Sequence, residues 1–301
     1  MAQVKRGHHT VPQFYLDAFA NDDHHLGVVR LSSEKKFQQS TRDATVLRDF
    51  YNIDSRADPN AIENLISEIE GGAAAVFRKV IVDQDWPLDS NERAILATFF
   101  GLQRVRGPNE RQLVDEIAKV IASEMESAAD TDTSTAADTD QLTPKVAHIK
   151  SMLDIQQYAP YYFARTWRLV RFDRKRLLTC DAPVSLLPYP EAPADGPVGI
   201  GTAWLILFPM SRTVGIIMSA NMIDQPAAVA SGQTDVTMQG SAYLADLFNE
   251  ATISNARESI FHHPDDESLI PAELPARRDK ELDTSHRAAE SDDGGAVRPA
   301  E

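Results

Sequence analysis

The hydrophobic period of this chain changes across one short stretch, and that change limits the folds open to it. The stretch is SAADTDTSTAADTDQ, residues 127–141, built almost wholly of Ala, Asp, Ser and Thr. It offers almost nothing to bury and is expected to be a disordered acidic loop. Before it the pattern is helical. Ile62, Leu65, Ile66, Ile69, Ala73, Val76, Phe77 and Val80 recur at helical spacing and predict a helix over 60–82. Asp58 and Pro59 suit its N-cap and first turn. Two glycines inside it, Gly71 and Gly72, cost roughly 1 kcal/mol each, which points to close packing of a neighbour. A second helix is expected from Ser90, as N-cap, to about Met125, with Ile95, Phe99, Leu102 and Val105 as its apolar stripe. Pro108 should kink or break it near Gly107.

After the loop a helix near 143–158 gives way to short segments rich in Leu, Ile, Val and aromatics. WRLVRF, RLLTC, WLILFPM and TVGIIMS are strand-like. A last helix is expected from about Thr237 to Asn255. Earlier in the chain, LGVVRL and KFQQS flank Ser32-Ser33-Glu34-Lys35 and predict a hairpin. The sum is an α+β fold, a helical layer packed on a mostly antiparallel sheet. One domain is expected over 1–265, and a disordered acidic tail over 266–301. With 301 residues and 43% hydrophobic composition, the chain is long enough for one large core.

Charge and cysteine content narrow the function. The net charge of −15 argues against nucleic acid, but the two polar segments carry most of it. Residues 124–141 and 264–301 each contribute −6, which leaves −3 for the rest. Cys180 is the single cysteine, so neither an internal disulfide nor a thiolate metal cluster can form. It is read as a small buried filler, with a thiol that stays protonated. No apolar run nears the roughly 20 residues that cross a bilayer, and residues 1–20 lack a signal-peptide core. A cytoplasmic protein without membrane contact is expected.

Six of the eight histidines stand as neighbours. His24-His25 follows Asn21-Asp22-Asp23 in what should be an exposed turn, and His262-His263 precedes Pro264 at the edge of the tail. His8-His9 is different, because KRGHHTVPQFYLDAFA runs into Pro12 and an apolar anchor of Phe14, Leu16 and Phe19. Extended geometry sends the two rings to opposite sides. One should face a site, near Asp181 or Arg106, and the other should bond to structure. Gln103 and Arg106 share a helical face; Arg106 alternatively pairs with a carboxylate such as Glu70 and fixes the helix. Asp181 follows an apolar strand, where a loop can present a catalytic group, although Asp before x-Pro is also a turn former. RTWRLVRFDRKR, residues 165–176, carries five Arg and one Lys against one Asp, and either touches a phosphate backbone or forms an exposed strand and turn.

The opening HHTVPQFYL pattern resembles that of a bacterial family known as domain-of-unknown-function family 4238. The likeness continues in FYNI (50–53), in the helix with Glu63 and Glu70, and in FFGLQRVRGPNER (99–111). It returns in LLTCDAPVSLLP (177–188), WLILFPMS (204–211) and the segment around Asn249, so that it spans roughly residues 4–263. Cys180 stands where that family usually has Ser, and Ala182 where it usually has Asn, so polar roles at those positions would be altered here. The resemblance implies kinship of fold and no established activity.

Two functions are open on these residues. His8, His9, Gln13, Gln103, Arg106 and Asp181 contain an acid–base group, an orienting or metal-holding carboxylate and a cation for developing negative charge. Those are the parts of a nuclease-type hydrolase acting on nucleic acid, with which a divalent metal is compatible. The alternative is a non-catalytic binding or scaffold module in which the same residues form a buried polar network. An open pocket lined by the six favours the first, and a sealed, fully paired network the second.

Overall fold

Hydrophobic stripes at helical spacing bury themselves against strands that are apolar on both faces, and this fixes the architecture. The computed structural model describes residues 6–51, 60–128, 144–192, 198–220 and 226–277. In chain order the elements are β1 (Gly7–His9), α1 (Gln13–Asp17), β2 (His25–Arg30), β3 (Lys36–Ser40), β4 (Val46–Arg48), α2 (Ala61–Ile81), α3 (Ser90–Val105) and α4 (Pro108–Ala128). There follow α5 (Pro144–Leu153), α6 (Ala159–Phe163), β5 (Thr166–Arg171), β6 (Thr179–Cys180), β7 (Ser185–Leu187), β8 (Leu205–Ser211) and β9 (Val214–Ser219). The described chain closes with α7 (Pro226–Ala230), β10 (Val236–Gln239), α8 (Ala242–Asn255), β11 (Ser259–His262) and a 3-10 turn over Pro264–Leu269.

The fold is α+β with mostly antiparallel strands, which among the described residues form three sheets. The largest has the order β10-β5-β9-β8-β7, the next β3-β2-β11-β6, and β1 pairs with β4 in a two-stranded ribbon. Among the described residues, only β10 runs parallel to its partner, β5. The predicted hairpin of β2 and β3 is present. Phe208 of β8 marks the centre of the main core. Its ring meets Tyr15 at 5.1 Å, Phe100 at 4.7 Å and Phe77 at 6.1 Å, which locks α1, α2 and α3 onto one face of the larger sheet. A smaller apolar cluster of Val29, Leu178, Cys180, Ala256, Ile260 and Ile270 fills the second sheet.

Several expectations are corrected. Asp89, not Ser90, caps α3; its carboxylate accepts the Asn91 and Glu92 N–H groups, and Glu92 returns the bond to complete a capping box. The break before Pro108 is real, and α4 starts there. Asn60 stands at the N-cap of α2, while Asp58 and Pro59 lie outside the described residues, as does 129–141 of the predicted loop. Gly72 packs against Ile95 of α3, whereas a Cβ at Gly71 would meet open space, so only one of the two glycines admits a neighbour. The last helix begins five residues later than expected, because Val236–Gln239 forms β10 and Ser241 caps α8. Of RLLTC only Thr179–Cys180 joins a ladder. The Leu178 N–H goes instead to the Asn249 side chain at 2.9 Å, which acts as a substitute strand partner.

The fold also continues past residue 265. Asp266 takes Arg212 in a two-pronged ion pair at 2.6 and 2.8 Å, and Ile270 is buried in the second core. Asp266 and Ile270 therefore pack on the domain beyond the expected boundary. Residues 278–301 lie outside the described residues. Beneath the larger sheet, Arg93 and Asp235 form an ion pair whose side chains are both fully buried. The guanidinium lies 4.2 Å from the Trp167 ring centroid, and the other Asp235 oxygen accepts the Trp167 N–H at 2.9 Å. Nothing in the sequence pattern singles out this pair.

Candidate functional site

The N-terminal ribbon is held by polar bonds on both sides. Val11 is fully buried and Pro12 is extended, with φ −64° and ψ 144°, which sets the strand before α1. Leu16 and Phe19 are buried as anchors, and Tyr15 joins them. The Tyr15 hydroxyl donates to the Pro209 carbonyl at 2.8 Å and lies 2.6 Å from the Thr179 hydroxyl.

On this ribbon the two histidines differ as extended geometry requires. His8 is buried and His9 half-buried. The His8 Nδ1 accepts the Tyr51 N–H at 3.1 Å, and its ring lies 5.2 Å from that of Tyr51. An accepting Nδ1 leaves the proton of a neutral ring on Nε2. The Tyr51 hydroxyl donates to the Arg106 carbonyl at 3.1 Å and receives Arg106 Nε at 3.5 Å. Burial pushes the Tyr51 phenol above its ordinary pKa, against the pull of Arg106.

Arg106 is the hub. It is 1% exposed and stands at the C-cap of α3. Nη1 donates to Glu70 Oε1 at 2.6 Å, and Nη2 donates to the His9 carbonyl. One guanidinium thus joins β1, α2, α3 and the Tyr51 segment. The carboxylate partner is the one expected for a helix-fixing pair.

Gln103, one turn earlier, is buried but faces elsewhere. It lines a cleft between the α3–α4 junction and the segment after β6, where Ala182, Val184, Asn255 and Arg257 form the far wall. Asp181 lies behind that wall. Its Oδ1 accepts the Arg257 N–H at 2.9 Å, and its Oδ2 accepts those of Glu258 and Ser259 at 2.8 and 3.2 Å. Burial pushes its carboxyl above the usual range, and the three N–H groups pull it back. Gln13 is exposed, with its amide 3.5 Å from the Thr41 hydroxyl. The six predicted residues therefore divide. His8, His9 and Arg106 share one network, Gln103 lines a separate cleft, Asp181 is bound into the turn before β11, and Gln13 stands apart.

The other signals are also placed. Cys180 is buried, and burial pushes its thiol pKa up. In the basic run, Arg165, Arg168 and Arg171 turn to internal acceptors: the Ala203 carbonyl at 3.0 Å, the Ser219 hydroxyl at 2.8 Å and the Val80 carbonyl at 2.7 Å. Arg174 and Lys175 are exposed. Among the described residues, no group of three His, Cys, Asp or Glu is arranged to hold a metal ion, and no helix is long and apolar enough to cross a membrane. Sequence reasoning missed Tyr51 and His148. The latter is fully buried, and its Nε2 lies 2.8 Å from the Val105 carbonyl. The FY pair at 50–51 in an otherwise polar stretch is a signal that points to Tyr51.

A family model described as "Protein of unknown function (DUF4238)" matches residues 7–266, and the chain belongs to that family. No curated protein matches the chain. No solved structure does either.

Proposed function

We propose that this chain works as a binding module and not as a hydrolase, with its conspicuous polar residues spent on internal structure. The observation that carries this reading is the Asp181 carboxylate, whose two oxygens are taken by three backbone N–H groups. A carboxylate so engaged braces a turn and is poorly placed to orient a histidine or hold a metal. Arg106 supports the same reading, because Glu70, Tyr51 and the His9 carbonyl share its guanidinium.

A nuclease-type hydrolase is the second reading. What favours it is the succession His8, Tyr51, Arg106, Glu70 beside the half-buried His9, in which an acid–base group and a cation are two contacts apart.

Asp181→Asn separates the two. An amide puts an NH2 against backbone donors, and the lost bonds should cost about 1–3 kcal/mol. The parent and this variant are assayed for cleavage of RNA and DNA, with and without divalent ions, beside thermal melts. The binding reading predicts no cleavage by the parent and a lower melting temperature in the variant. Cleavage by the parent that disappears in a variant melting like the parent would establish the hydrolase.

A further inference from the structure

β3 ends one side of the four-stranded sheet, with β2 as its only ladder partner among the described residues, and its Lys36, Phe37 and Gln38 are exposed. The ladder fixes where its backbone groups point. The Arg30 N–H donates to the Lys35 carbonyl and the Thr41 N–H to the His24 carbonyl, both at 2.9 Å. The odd-numbered positions of β3 therefore bond to β2, and Lys36, Gln38 and Ser40 aim their N–H and C=O groups outward. The Ser40 carbonyl is already taken by the Asp43 and Ala44 N–H groups. A free edge of this kind is a template for another strand.

The charges say which strand. Glu34 and Arg42 stand four residues to either side of Gln38. Both are exposed, and among the described residues neither has a partner. When a second copy of β3 runs antiparallel with Gln38 opposite itself, Glu34 falls opposite the partner's Arg42, and the symmetry repeats the pair. In the same register Gln38 exchanges two backbone bonds with the partner's Gln38, and each Lys36 carbonyl takes the N–H of the partner's Ser40. Phe37, 40% exposed, becomes the diagonal neighbour of the partner's Phe37, about 7–8 Å away on the same face. Lysines commonly guard an edge against such pairing. Here Glu267 holds Lys36 at 3.3 Å, and Lys35 falls opposite the partner's uncharged Thr41. With that ion pair set aside, Glu34 and Asp43 balance Lys35 and Arg42, so two copies of a chain with net charge −15 meet at a neutral edge.

We propose that the chain forms a two-fold dimer by joining β3 to β3 of a second copy, in the register that sets Gln38 opposite itself. The contact uses the same surface on both copies and closes on itself, so it ends at two chains. The proposal goes beyond the binding-module reading and does not depend on it.

The full chain is followed by sedimentation equilibrium from micromolar to millimolar concentration, and a monomer–dimer equilibrium is expected. Glu34→Arg or Arg42→Glu alone sets like charges opposite each other twice and should weaken the dimer about tenfold or more. The double variant makes the charges opposite again and should recover the parent's equilibrium. Gln38→Cys should cross-link to its mate under mild oxidation, because antiparallel partners of this kind have Cα atoms about 5.5 Å apart. Lys36→Cys, about 14 Å from its mate, should not. The native Cys180 is buried and does not compete. A chain that stays monomeric throughout would overturn the proposal and leave the edge to a strand of another protein. A dimer that the single variants leave unchanged, a double variant that does not recover, or equal cross-linking at the two positions would place the contact elsewhere and overturn it too. Nucleic-acid cleavage by the parent would overturn the binding-module reading and leave this result as it stands.

Discussion

At position 27 there is room for a hydrogen and nothing larger. Gly27 of β2 faces His262 of β11 across the ladder, and a Cβ there would lie 2.1 Å from the imidazole Cε1. The ring is fixed in turn, with its Nδ1 2.8 Å from the His263 carbonyl. Gly27→Ala must push the ring or part the strands, at an overpacking cost of about 1–3 kcal/mol. Denaturant unfolding measures this, and an unchanged midpoint would show that His262 swings away freely. The same contact explains why a histidine pair expected at the edge of a tail is partly core. An isolated His-His-Pro triplet carries no mark of the glycine it will cover 235 positions earlier.

Elements whose burial is periodic were legible in the chain, and those made by distant partners were not. The stripe from Ile62 to Val80 predicts α2 to within a residue at either end, and Pro108 predicts the α3–α4 break. The four residues of β10 are three-quarters polar or exposed and become a strand only by lying parallel to β5. The corner where α3, α4 and α5 meet holds a test at this scale. His148 of α5 bonds to Val105 at the end of α3, and Arg111 of α4 stands 3.4 Å from its other nitrogen. Burial, aided by the Arg111 charge, lowers its pKa from 6.5 to about 4. The unfolded chain then binds more protons than the fold between those values. Stability from this group is whole above pH 6.5 and is lost as the pH falls toward 4. The loss should approach about 3 kcal/mol. Unfolding followed across that window should show the decline, and His148→Gln, which can still donate to Val105, should flatten it. An identical slope in the variant would assign the decline to other groups.

Over the whole molecule, the polar residues conspicuous in the sequence lie at joints between elements. The Arg106 network ties the N-terminal ribbon to the helical layer and Asp181 braces the turn into β11, while Arg212 with Asp266, neither marked by the sequence pattern, pins the last described segment. Sequence alone exposed Gln103, Arg106 and Asp181 because polar groups inside apolar segments stand out. It could not divide them, since whether Gln103 and Asp181 face His8 depends on the rotation of α3 and on which strand follows β6 in space. The resemblance in the opening motif identified the family, and the Arg106–Glu70 pair, weighed as one of two alternatives, is the one present. The central claim is that this network is structural. A double-mutant cycle on Arg106→Lys and Glu70→Gln, read by chemical denaturation, tests it most directly. The account predicts that each single change destabilises by at least about 2 kcal/mol and that the pair couples by about 1–3 kcal/mol, with no nucleic-acid cleavage in any member of the cycle. Two single variants that unfold like the parent and show no coupling would contradict it.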